Sequence, residues 1–101
     1  MAEVNWSVSA KRDLQAIHDR AALGSDFYAQ RFVEKLLERT SILAEFPSSG
    51  GIVPEFGSKD IRQLLFGDYR IIYFIAQDHV AIARVYHSAR LLDWKQLKRP
   101  K

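Results

Sequence analysis

Residues 61–87 constrain the fold of this chain more than any other stretch. They hold three runs of strand-forming residues, Ile61–Phe66, Tyr69–Ala76 and Val80–His87, separated by two short breaks. Gly67-Asp68 reads as a two-residue hairpin turn with glycine first, and Gln77-Asp78-His79 as a three-residue turn. Strand-length runs joined by turns this short fold back on one another as an antiparallel meander. Tyr69–Ala76 is apolar on both faces, as a central strand is.

The first half of the chain has a different period. Glu3–Val8 alternates, with Val4, Trp6 and Val8 on one side, and predicts a short strand. Ser9 is a suitable N-cap for a helix from about Ala10, along which Leu14, Ile17 and Ala21 recur at helical spacing. Gly24 ends that helix and Ser25 caps the next, predicted over Asp26–Glu45 with Ala29, Phe32, Val33, Leu36 and Leu43 as its buried stripe. A turn this short makes the two helices an antiparallel hairpin. Phe46–Asp60 follows as a long loop rich in Pro, Gly and Ser, of a length that often carries function. The predicted order is β-α-α-β-β-β, an α+β two-layer fold with the helical hairpin on one face of an antiparallel sheet. Residues 1–101 read as one domain with a basic tail at about 93–101.

Several basic residues interrupt the apolar strands: Arg70, His79, Arg84, His87 and, beyond them, Arg90. With a three-residue second turn, Ala76 lies opposite Val80 and Arg70 opposite Tyr86. Arg70, Ile72, Phe74, Val80, Ile82, Arg84 and Tyr86 then share one face, with Gln63 nearby. Tyr69, Ile71, Tyr73 and Ile75 share the other with Ala81, Ala83 and Val85. Small residues let helices approach closely, which assigns the alanine face to the core. The opposite face is expected to be open, with Arg70, Arg84 and Tyr86 beside an apolar band of Ile72, Phe74 and Ile82 that a partner covers. Guanidinium forks on such a face suit carboxylates or phosphates. A one-residue change in either turn reverses the assignment.

Composition removes several functions. There is no cysteine, so a disulfide scaffold, a Cys-ligated zinc site and thiol catalysis are excluded. His18, His79 and His87 show no metal-ligand spacing, and no phosphate-binding glycine motif or H-E-x-x-H is present. No metal and no cofactor are expected. Ser88 and His87 are sequence neighbours whose side chains diverge on a strand, which argues against a Ser-His-Asp triad. No apolar run approaches the ~18 residues of a spanning helix, the N-terminus lacks a signal-peptide pattern, and the lack of cysteine fits a reducing cytoplasm. Net charge is +3, with Lys95, Lys98, Arg99 and Lys101 clustered after Trp94, a tail suited to an acidic partner. Trp94 itself is a candidate anchor or partner contact.

LAEFPSSGG at the end of the second helix, VPEF in the loop, the hairpin IRQLLFGDYRIIYFI and the closing VYHSARLL occur in this order. Together they resemble the RelE/ParE superfamily of toxins of bacterial type II toxin–antitoxin modules, also called plasmid stabilisation proteins. The likeness runs from about Val4 to Leu92, carried by FP-x-x-G, R-x-L, YRIIY and H-x-A-R. It implies a cytoplasmic, growth-arresting protein neutralised by a cognate antitoxin. RelE-like members are metal-free, ribosome-dependent mRNA endonucleases. On that branch Arg70 matches their hairpin arginine, Arg62 lies near their strand lysines, Arg90 holds a later basic position and His87 is the proton-transfer candidate. ParE-like members poison DNA gyrase without chemistry of their own, and commonly end the last strand in H-x-A-R, as His87–Arg90 does. No Tyr or His follows His87, so the terminal acid–base residue of many RelE-like members is missing. The resemblance therefore favours the ParE-like branch. A non-toxic relative that only binds an antitoxin is the third reading.

Overall fold

The computed structural model describes residues 2–88. The elements are β1 (Glu3–Trp6), α1 (Val8–Ala22), α2 (Asp26–Ser41), β2 (Gly51–Ile52), β3 (Ile61–Phe66), β4 (Tyr69–Ile75) and β5 (His79–His87). Two single 3-10 turns, Ile42–Ala44 and Pro47–Ser49, lie between α2 and β2. Ser25 caps α2 as expected, accepting the Tyr28 N–H at 3.1 Å. The cap of α1 is Ser7 rather than Ser9. Its hydroxyl accepts the Ala10 N–H at 3.0 Å and donates to the Ala83 carbonyl at 2.8 Å, so β5 selects this serine. The second helix stops at Ser41, short of Glu45. There the Thr40 and Ser41 hydroxyls bond the carbonyls of Leu37 and Glu38, competing with the helix's own ladder.

Among the described residues the sheet has five strands in the order β1-β5-β4-β3-β2. The meander β3-β4-β5 is antiparallel as predicted, whereas β1 pairs parallel to β5. The sheet is mixed because the two helices carry the chain away from β1 as a crossover, which a parallel pair requires. The α+β, two-layer fold stands, with this one strand running the other way and with a two-residue strand, β2, paired to β3 inside the stretch expected as a loop.

The second turn is tighter than expected. Ile75 pairs with Val80, and the Ala76 N–H bonds the His79 carbonyl, which leaves only Gln77 and Asp78 as turn residues. A bulge between Ile72 and Tyr73 then restores the predicted pairing of Arg70 with Tyr86. Val80 and Ile82 therefore face the helices, in a core with Ile17, Leu36, Leu43 and Tyr73. Ala81 sits opposite Phe74 on the other side. The tight turn puts the larger side chains of β5 into the helical core.

Tyr73 ties that core to the loop. Its hydroxyl donates to the Pro47 carbonyl at 2.7 Å and accepts the Gly50 N–H at 3.0 Å. The FP-x-x-G and YRIIY motifs thus meet at one oxygen. Tyr73→Phe strands both backbone groups and should cost about 1–3 kcal/mol in chemical denaturation. Burial pushes the Tyr73 phenol above its ordinary value, against the Gly50 hydrogen bond. Unfolded tyrosine ionises near pH ~10, the folded side chain only higher. Its contribution is whole below pH ~10 and is lost as pH rises through the folded value. Stability should decline in alkaline solution more steeply for the wild type than for Tyr73→Phe; parallel stability–pH curves would contradict this.

Candidate functional site

The sheet face turned away from the helices is closed by the chain itself. Val53 and Phe56 of the loop, with Ile61, pack on Ile72 and Tyr86. Ile72, Phe74 and Ile82, expected as an open apolar band, are all buried, Ile82 on the helical side. That expectation is corrected: the tight second turn moved Ile82, and the VPEF loop supplies the cover on Ile72. Tyr86 is likewise buried rather than presented to solvent.

Arg70 lies in this closed face at 8% exposure. Its Nη1 and Nη2 donate to the two carboxylate oxygens of Glu55 at 2.8 and 2.9 Å, and its Nε donates to Gln63 Oε1 at 2.7 Å. This is a bidentate, charge-assisted pair between a central strand and the loop.

Arg84 stands at the edge of the sheet, its guanidinium 4.5 Å from the centre of the Tyr86 ring. Nε and Nη2 donate to Asp13 of α1 at 2.7 and 2.9 Å, and the same carboxylate accepts the Val85 N–H at 2.9 Å. The Asp13 hydrogen bonds raise the proton affinity of Arg84 further, against the opposing effect of burial. With Ser7 on the Ala83 carbonyl, Asp13 seals the stretch of β5 that β1 does not reach. The two carboxylates, Glu55 and Asp13, were not among the sequence candidates.

Arg62 pairs with Tyr73, and so projects from the face opposite Arg70. The two-residue Gly67-Asp68 turn and the unbroken β3–β4 register keep them apart, as the strict turn predicts. Arg62 holds the loop instead: Nε donates to the Lys59 carbonyl at 2.8 Å and Nη1 to the Gly50 carbonyl at 3.1 Å. His87 is exposed on the helical side, its ring 5.7 Å from that of Tyr69. Arg62, Arg70 and His87 therefore do not form one cluster. Arg90, Trp94 and the basic tail lie outside the described residues.

A separate cleft of about 580 Å³ runs beside β1, an edge strand. Val4, Trp6, Leu14, Val33 and Leu37 give it apolar walls, and Lys11 adds positive charge. Among the described residues, no group of three or more His, Cys, Asp or Glu side chains is placed to hold a metal ion. Nor does any described helix have the length and apolarity to cross a membrane.

Two helices packed on a mixed five-stranded sheet make up a RelE/ParE-like α+β fold. The family described as the ParE toxin of the type II toxin–antitoxin system parDE matches residues 4–92, and the chain belongs to it. Toxin RelE2 of Caulobacter vibrioides is 36% identical over 92 residues, covering 90% of this chain and all of that one. The fold is similar to a chain of the chromosomal ParDE toxin–antitoxin system of P. aeruginosa, with TM-score 0.73 and 21% identity over 86% of this chain and 96% of that one. It is also similar to a chain of the toxin–antitoxin complex RelBE2 of Mycobacterium tuberculosis, with TM-score 0.62 and 22% identity over 85% and 96%.

Proposed function

We propose that this toxin acts in the ParE-like manner, binding and inhibiting DNA gyrase without cleaving RNA, in the cytoplasm, as a single domain neutralised by a cognate antitoxin. The observation that carries this reading is the separation of the basic residues. Metal-free RNA cleavage needs cations that converge on one phosphate, to hold it and to stabilise the developing charge. Here Arg62 and Arg70 leave opposite faces of the sheet, and Arg62, Arg70 and Arg84 each bond partners within the chain. An inhibitor that works by binding requires no such convergence. The antitoxin reading draws support from the two toxin–antitoxin structures of the same fold. The cleft beside β1 suits it as well, since it sets apolar walls and a cation next to what is, among the described residues, an edge strand of the sheet.

Expression of the toxin alone should arrest growth with a DNA-damage response and intact mRNA, and co-expression of the adjacent antitoxin should relieve the arrest. Arrest with mRNA cleaved in translating ribosomes and no DNA damage would support the RelE-like alternative. Growth unaffected at full expression would leave only the antitoxin-binding relative.

A further inference from the structure

We propose that the outer face of α2 is a phosphate-tracking strip, in which Arg31, Lys35 and Arg39 take the backbone of duplex DNA. The choice of DNA over RNA rests on the gyrase reading above, since gyrase works on a duplex. The strip itself rests on the helix, and three observations carry it.

First, the three cations recur at every fourth residue of α2, a row with about 6 Å of rise per step. Like charges at this spacing repel and cost a helix stability. A chain of phosphates is an occupant that turns this repulsion into attraction.

Second, Lys35 and Arg39 line an open cleft with Phe66 of β3, which adds an apolar surface beside the two charges. Glu38 lines the cleft too, yet among the described residues neither cation makes an ion pair. Arg31 makes one exposed contact, 3.5 Å from Glu34.

Third, a further guanidinium lies close by. Burial raises the Tyr73 phenol, while the Gly50 hydrogen bond and the positive charges of Arg62 and Arg39 work against it, so both guanidiniums share its neighbourhood. Both are half-buried. Arg70 and Arg84 each have a carboxylate, whereas Arg62 has only backbone carbonyls and Arg39 has no ion pair among the described residues. Arg62 keeps its loop bonds and contributes field rather than a ligand.

A row along a helix follows a backbone and does not converge on one phosphate. No histidine lies on α2 or β3 to move a proton. The strip therefore holds nucleic acid without cutting it.

The test measures binding of the purified, antitoxin-free toxin to a short fluorescent DNA duplex by anisotropy, over a range of salt. Gyrase is absent, so the outcome is separate from that of the gyrase reading. Lys35→Gln/Arg39→Gln should weaken binding roughly tenfold at low salt and flatten the slope of log affinity against log salt by about two. Lys11→Gln/Arg12→Gln removes the same charge from α1 and should change affinity less than about twofold. The basic tail is common to all three proteins. Lys35→Glu, at an exposed position, serves the comparison should the double variant not fold. Equal losses in the two double variants, or an unchanged slope, would overturn the proposal. So would tighter binding of duplex RNA, or displacement of the duplex by polyglutamate as readily as by an equal charge of unlabelled DNA.

Discussion

Replacing Asp13 with alanine should destabilise the toxin by about 3 kcal/mol, although Asp13 lies on a helix far in sequence from every family motif. The carboxylate answers two groups at once, the Arg84 fork and the Val85 N–H. Without it, a guanidinium whose side chain is only 21% exposed keeps its charge and loses its counterion. The freed backbone N–H adds to the cost, because β1 pairs with β5 only as far as Ile82 and, among the described residues, no strand lies on that side of Val85. For a chain of this size the loss corresponds to a drop in melting temperature of roughly 15 °C. Asp13→Asn should fall between the two, since an amide oxygen can still take the Val85 N–H but brings no charge to Arg84. Urea unfolding of the three proteins decides it. A cost for Asp13→Ala below about 0.5 kcal/mol would make this an ordinary screened surface pair.

Gly50→Ala is the second large effect. A Cβ there would stand 2.5 Å from the Gln63 carbonyl oxygen and 2.6 Å from the Tyr73 hydroxyl. Neither neighbour can yield cheaply. The carbonyl belongs to the β3 backbone, and the hydroxyl is fixed by Pro47. The loop must lift off, which breaks the Gly50–Tyr73 hydrogen bond and the Arg62 contact to the Gly50 carbonyl. The expected cost is about 2–3 kcal/mol in the same unfolding assay. Gly51→Ala is the control, because a Cβ at Gly51 meets nothing within 4 Å. Equal stability of the two variants would contradict the tight approach of loop and sheet.

These two sites mark where sequence reasoning reached and where it stopped. The meander, the helical hairpin and the Ser25 cap follow from local patterns, which nearby residues determine, whereas Arg70 meets Tyr86 as expected only because a bulge offsets the shorter turn. The bulge does not follow from such patterns. It depends on a one-residue difference in the second turn, and that difference sent Val80 and Ile82 to the helices. Arginines inside strands announce that carboxylates are needed, but not which ones. Asp13 is 71 residues from Arg84 and Glu55 is 15 from Arg70, and neither separation leaves a periodic trace. The VPEF stretch held the available signal for Glu55: a lone acid between two apolar residues able to cover a sheet. The family motifs proved legible as sequence and partly structural in role. Gly50, Arg62 and Tyr73, from three of them, fasten one loop.

Bonds within the chain commit Arg62, Arg70 and Arg84 to the fold, and the functional account rests on that. The direct test is biochemical. The purified, antitoxin-free toxin is incubated with DNA gyrase, ATP and plasmid, beside a translating-ribosome reaction containing mRNA. The account predicts plasmid trapped in cleaved form and mRNA left whole. Cleaved mRNA with untouched plasmid would contradict it and would return Arg70 and His87 to the role of catalytic candidates.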